Sequence, residues 1–171
     1  MIPEFTFEIP NSKDLQQKLV RGYGDNFDEH MAHHPLLTIR TIRHCVTKNF
    51  NIDVKTFEAI EHNSFRINTV NIMAVREELE QILLSPRPAI GIQMMYESTL
   101  LLEMLPDIVQ LTKQFDADQN NYYEITVQRL AESDNTIQAR WKTLLMFVPP
   151  ARAKKILQNF LYSEEFIVTL L

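Results

Sequence analysis

The chain has 171 residues, 45 % hydrophobic and 23 % charged, with 17 Lys and Arg against 22 Asp and Glu and a formal charge of −5. That describes one globular domain or two small helical lobes and excludes whole-chain disorder. The acidic balance provides no overall field to steer nucleic acid, and three glycines (Gly22, Gly24 and Gly91) cannot build a phosphate loop of GxGxxG or GxxxxGK type.

Glu4 to Ile9 alternates Phe5, Phe7 and Ile9 with Thr6 and Glu8, the period of a half-buried strand, and Pro10 ends it. No later segment pairs with it by pattern, so Phe5, Phe7 and Ile9 are candidate partner contacts. Everything after this reads as helix. Asn11 or Ser12 caps a helix carrying Leu15 and Leu19, broken at Gly22-Tyr23-Gly24. Pro35 starts a helix with Leu36, Ile39, Ile42, Arg43 and Val46 on its pattern. Asp53 caps a helix with Val54, Phe57 and Ile60, and Asn71 caps one with Ile72, Val75, Leu79, Ile82 and Leu83. Ser85-Pro86-Arg87-Pro88 stops that helix and starts another through Met94 and Met95. Leu100 to Leu105, with Met94, Met95 and Met104, reads as core. Pro106 opens a helix ending near Phe115. The polar run Asp116 to Asn121 marks a boundary, followed by helices over Tyr122 to Glu132, Thr136 to Phe147 and Pro150 to Tyr162 and an apolar tail from Phe166 to Leu171.

Cys45 is alone, which excludes a disulfide framework, and its place beside Ile42 on an apolar face reads as a buried thiol. No apolar run approaches the ~20 residues of a membrane span. Residues 1–12 hold two glutamates and no base, unlike a signal peptide. The expected compartment is intracellular and reducing, either the cytoplasm or the mitochondrial matrix.

Several blocks, in order, resemble the helical neck and body of bacterial-type tRNA nucleotidyltransferases (CCA-adding enzymes) and the related bacterial poly(A) polymerases. Asp14-Leu15-Gln16-Gln17-Lys18-Leu19 with Arg21 is similar to the family's head-to-neck junction. His34-Pro35-Leu36-Leu37-Thr38-Ile39-Arg40-Thr41-Ile42-Arg43 resembles its arginine-bearing helix. Phe50-Asn51-Ile52-Asp53 with Thr56, Ala59 and Ile60 resembles the block after it. Arg76-Glu77-Glu78-Leu79 and Ile82-Leu83-Leu84-Ser85-Pro86, with Leu105-Pro106 at the matching distance, are the most specific part. The resemblance implies that Glu4 to Ile9 is the last strand of a catalytic head not found in this sequence. It also places His33, His34 and Leu37 at the Glu, Asp and Arg of the family's Glu-Asp-x-x-Arg arrangement, whose Asp and Arg read the incoming nucleotide; neither imidazole nor leucine reproduces that acceptor and donor set. Met146 and Phe147 stand where many members carry a His-Asp metal motif, and neither binds a hard metal.

Arg40, Arg43 and Arg76 match basic family positions and are RNA-binding candidates; the alternative is pairing with Asp25, Asp28 or Glu29. Lys154 and Lys155, with Arg152, form the compact basic cluster and are further RNA candidates, against a solvated helix face. Tyr122, Tyr123 and Trp141 read as core aromatics rather than a stacking platform. His30, His33 and His34 beside Asp28 and Glu29 look like metal ligands, but Pro35 is expected to take His34 off the helix face, so we expect no metal site. Asp116 and Asp118 lie in a loop without metal context.

The expected fold is all-α, a neck-and-body helical array with one N-terminal orphan β-strand. The expected units are 1–10 as the strand, 11–115 as neck and body, and 122–171 as a C-terminal lobe. The expected function is non-catalytic: a structural or interaction subunit in a complex with a protein partner, without cofactor. The alternatives are the tRNA-binding part of a split or truncated CCA-adding enzyme and a stand-alone RNA-binding module.

Overall fold

The computed structural model describes residues 16–22 and 27–171. The expected strand Glu4 to Ile9, with Phe5, Phe7 and Ile9, lies outside the described residues, as do Leu15 and Asp25. The helices are α1 (Phe27–His33), α2 (Leu36–Lys48), α3 (Val54–Asn63), α4 (Ile72–Leu83), α5 (Pro88–Glu97), α6 (Leu100–Met104), α7 (Pro106–Gln110), α8 (Tyr122–Glu132), α9 (Ile137–Leu144), α10 (Pro150–Asn159) and α11 (Glu164–Leu170). Helical turns of 3-10 type follow α3 and α7, at Ser64–Thr69 and Leu111–Lys113. The described chain is mostly helical, as its patterning implies.

One small sheet departs from expectation. β1 (Leu19–Val20) pairs in parallel with β2 (Asn51–Ile52), Leu19 opposite Asn51 and Val20 opposite Ile52. Leu19 is therefore a strand residue and not part of a helix. The backbone N–H of Asn51 donates to Lys18 O at 2.8 Å, and that of Asp53 donates to Val20 O at 2.9 Å. Two residues per strand are too few to leave an alternation signal in sequence.

Local chemistry explains most helix limits. Asp53, Asn71, Asn121, Thr136 and Ser163 each accept a backbone N–H from the first turn they cap. Asn49 closes α2 in the left-handed region at φ 56°, its N–H returning to Cys45 O. Leu105, which precedes a proline, leaves the helical region at φ −139° and ψ 61°, separating α6 from α7. The helix opened by Pro106 is shorter than expected, ending at Gln110 and passing into the 3-10 turn. The apolar tail from Phe166 to Leu171 docks on the fold: Ser163 caps α11, with Ile167 and Leu170 buried.

The centre of the fold is α2 packed on α4 and α5. Ile39, Ile42, Cys45 and Val46 on α2 and Leu79, Ile82 and Leu83 on α4 are fully buried. Each such aliphatic side chain stabilises the fold by about 1.5–3 kcal/mol relative to exposure. Burial pushes the Cys45 thiol up to about 12, so it is an inert core group. Gly91 permits the close approach of α5: a Cβ built there would lie 2.4 Å from Ile82 Cγ2 and 3.4 Å from Val46 Cγ1. One hydrophobic cluster runs from Met31 through Leu79 and Trp141 to Leu170, on both sides of the Asp116 to Asn121 run. Among the described residues no helix is long and apolar enough to cross a membrane.

Candidate functional site

The neck helix α2 carries the candidate arginines. Its apolar face forces Arg40 and Arg43 toward the rim of the α2–α4 contact, where Glu78 projects from α4. Glu78 lies on the buried stripe with Val75, Leu79 and Ile82, and its side chain is 6 % exposed. Arg40 Nε donates to Glu78 Oε1 at 2.7 Å, and Arg43 Nε donates to Oε2 at 2.5 Å. One carboxylate thus holds two guanidiniums, using both oxygens, and leaves one net positive charge. Such desolvation of a carboxylate is tolerated only with charge-assisted partners. Beside it, burial first and then the Arg43 and Lys48 charges push the His44 pKa down to about 4, so its imidazole is neutral near pH 7.

Of the expected alternative partners of these arginines, Asp28 and Glu29 are otherwise engaged. Asp28 Oδ1 accepts from Asn63 Nδ2 at 3.0 Å and lies 3.6 Å from His62 Nδ1. Glu29 faces His33 at 4.0 Å. The true partner, Glu78, lies within the quoted Arg76-Glu77-Glu78-Leu79 block. A carboxylate on an apolar helical stripe was the signal that could have found it.

Leu37 is 5 % exposed and belongs to the core. His33 and His34 are exposed at the end of α1. Pro35 does take His34 out of the helix, but the expected separation of the imidazoles does not follow. His34 N–H still donates to His30 O at 3.0 Å, and the His30 and His34 rings lie 4.6 Å apart. Among the described residues no group of three or more His, Cys, Asp or Glu is arranged to hold a metal.

Arg76 points away from the α2 cluster and anchors the C-terminal segment. Its Nε donates to Glu80 Oε1 at 2.8 Å, its Nη1 donates to Leu161 O at 3.1 Å, and its Cζ sits 3.7 Å over the Tyr162 ring. The Tyr162 hydroxyl donates to Glu80 at 2.5 Å and accepts from the Trp141 Nε1–H at 2.7 Å. Trp141 is fully buried, and the Tyr162 ring stacks on Phe166 at 4.4 Å. This clasp ties α4 to α9 and α11 across more than 80 residues of chain. Glu80 and Tyr162 carry no signature in sequence, because nothing local announces the pairing.

Lys154 pairs with Glu164 at 3.4 Å, Arg152 with Asp107 at 3.1 Å, and Lys155 is exposed on α10. Met146 and Phe147 are half-buried, Phe147 stacking on Tyr122 at 4.3 Å, so aromatic packing fills that place. Asp116 organises its own loop, its Oδ1 accepting from the N–H of Asp118 and of Asn120, each at 2.9 Å.

Residues 49–111 match the family described as "Probable RNA and SrmB- binding site of polymerase A". The CCA-adding enzyme of Streptococcus thermophilus is 26 % identical over 169 residues, covering 91 % of this chain and 41 % of its own length. That of Pediococcus pentosaceus is 29 % identical over 103 residues, covering 60 % of this chain and 26 % of its own length. The chain therefore spans between about a quarter and two fifths of these curated relatives. The same fold occurs in a solved CCA-adding enzyme with ATP, at TM-score 0.60 and 16 % identity over 92 % of this chain and 38 % of that one. It occurs also in a tRNA-processing enzyme complex, at TM-score 0.61 and 15 % identity over 92 % of this chain and 44 % of that one. By sequence and by fold, the chain resembles the neck-and-body region of CCA-adding enzymes.

Proposed function

We propose, from this resemblance, that the chain is a neck-and-body module of CCA-adding-enzyme type that makes interactions and does not itself transfer nucleotides. The observation that carries this is the state of the neck helix: Leu37 is packed into the core, and Arg40 and Arg43 are closed on Glu78. Groups that present a template to a base must offer donors and acceptors; Leu37 has none, and the Nε–H of each arginine is committed to Glu78. The module would act by holding a protein partner in a larger assembly.

A second reading is favoured by the match of residues 49–111 to an RNA-binding description: the region binds tRNA as part of a CCA-adding enzyme. On that reading Arg40, with its side chain 36 % exposed, and Lys155 contact phosphates. A tRNA titration of the purified chain across a range of salt, with nucleotide incorporation from ATP and CTP followed in parallel, separates the two. The first reading expects weak binding, no incorporation, and co-purification of the native protein with a stoichiometric polypeptide partner. Tight binding with a steep salt dependence, or incorporation by the chain alone, would overturn it.

A further inference from the structure

Helices α5 and α8 pack against each other, and a groove of about 480 Å³ opens beside their contact. Its lining includes Gln93, Tyr96, Glu97, Tyr123, Glu124 and Gln128. Tyr123 is 8 % exposed, and its hydroxyl is buried without a hydrogen-bond partner. Leaving such a group unmatched is costly, and a ligand that completes it recovers that cost. Tyr96 is 39 % exposed, with its ring centroid 4.9 Å from that of Tyr123. Glu97 accepts from Gln93 Nε2 at 3.0 Å, which orients its carboxylate. Burial, then the neighbouring Tyr96 and Glu97, push the Tyr123 pKa up, so the phenol stays neutral.

The lining holds two carboxylates and no basic side chain. A phosphate or carboxylate ligand would meet like charge. Aromatic faces, a carboxylate and a hydroxyl oxygen together suit a positively charged nitrogen on an alkyl stem. We propose that this groove binds an alkylammonium group, its stem against Tyr96 and Tyr123 and its N–H groups donating to Glu97 and to the Tyr123 hydroxyl oxygen. Two sources share that chemistry, a free polyamine and a lysine side chain of a polypeptide.

The test titrates the isotope-labelled full chain at physiological salt with spermidine and, separately, with a blocked Gly-Lys-Gly peptide, following amide resonances of α5 and α8. The expected result is saturable binding of at least one probe, weakened about tenfold by Glu97→Gln and by Tyr123→Phe. Glu132→Gln, at the exposed end of α8, should bind like the parent. Binding by spermidine alone assigns a polyamine; binding by the peptide alone assigns a polypeptide lysine. The proposal is overturned if neither probe shifts the groove resonances, or if Glu97→Gln binds as tightly as the parent. It is also overturned if Glu132→Gln weakens binding as much as Glu97→Gln, since the acidic field of the whole chain then suffices. Glu97 lies on the surface, so its substitution decides the question even if Tyr123→Phe disturbs packing.

Discussion

Replacing Glu78 tests the account of the neck helix directly. Glu78→Gln keeps the side-chain shape but removes the charge. Its amide oxygen can serve one arginine, while its NH₂ group faces the Nε–H of the other, donor against donor. In a fully buried pair, removing one partner costs about 3–5 kcal/mol. Here the arginine side chains are 36 % and 19 % exposed, so water recovers part of that cost for each. The expected loss is about 2 kcal/mol, or roughly 4–8 °C in Tm for a chain of this size. Glu78→Leu should cost less, because it extends the apolar stripe of Val75, Leu79 and Ile82 and lets both guanidiniums swing to solvent. Denaturant melts of the two variants give the order. Glu78→Leu should also strengthen tRNA binding, since two guanidiniums are released to phosphates. A Glu78→Gln variant as stable as the parent, or a Glu78→Leu variant with unchanged RNA affinity, would refute the view that this carboxylate holds the arginines in the fold.

Three further outcomes are expected. Gly91→Ala gains about 0.5–1 kcal/mol of helix propensity but drives a methyl into the buried, β-branched Ile82, so we expect a net destabilisation of about 1 kcal/mol in thermal melts. Tyr162→Phe leaves the buried Trp141 Nε1–H without its acceptor and should cost about 1–3 kcal/mol, with a change in Trp141 near-UV circular dichroism as the local signature. His44 has a folded pKa depressed to about 4, below its unfolded value, so the unfolded chain binds more protons as acidity rises. Its contribution makes stability fall as pH drops from about 6.5 toward 4, and His44→Gln should flatten that part of a pH series of urea midpoints. The charges that face His44 are Arg43, Lys48, Glu78 and Arg40, so the series should be repeated in Glu78→Leu to separate their effect.

Residues singled out for chemistry fared differently from residues singled out for structure. Asp53 and Asn71 cap the helices assigned to them, since a cap is a bond between near neighbours and shows in the local order of residue types. The stop at Ser85-Pro86-Arg87-Pro88 stands for the same reason. Trp141 and Tyr123 are core, as aromatics at helical spacing suggest. The arginines were visible as a pattern, but their partner was not: Glu78 lies 38 residues from Arg40 and 35 from Arg43. The β1–β2 pair was missed because two residues of parallel ladder are held by a long-range contact, with no period of their own.

The sequence by itself determined the all-α character, most helix limits, the buried thiol and the resemblance to CCA-adding enzymes. All of these follow from propensity, capping and apolar period, which act over a few residues. Only the tertiary structure decided which charges are spent. It set Arg40 and Arg43 on Glu78, closed Arg76, Glu80 and Tyr162 over Trp141, and left the Tyr123 hydroxyl unmatched beside Glu97. A side chain's spacing selects its helix face, but what it meets there depends on how helices far apart in the chain pack together, and that packing fixes what each charged group is free to bind.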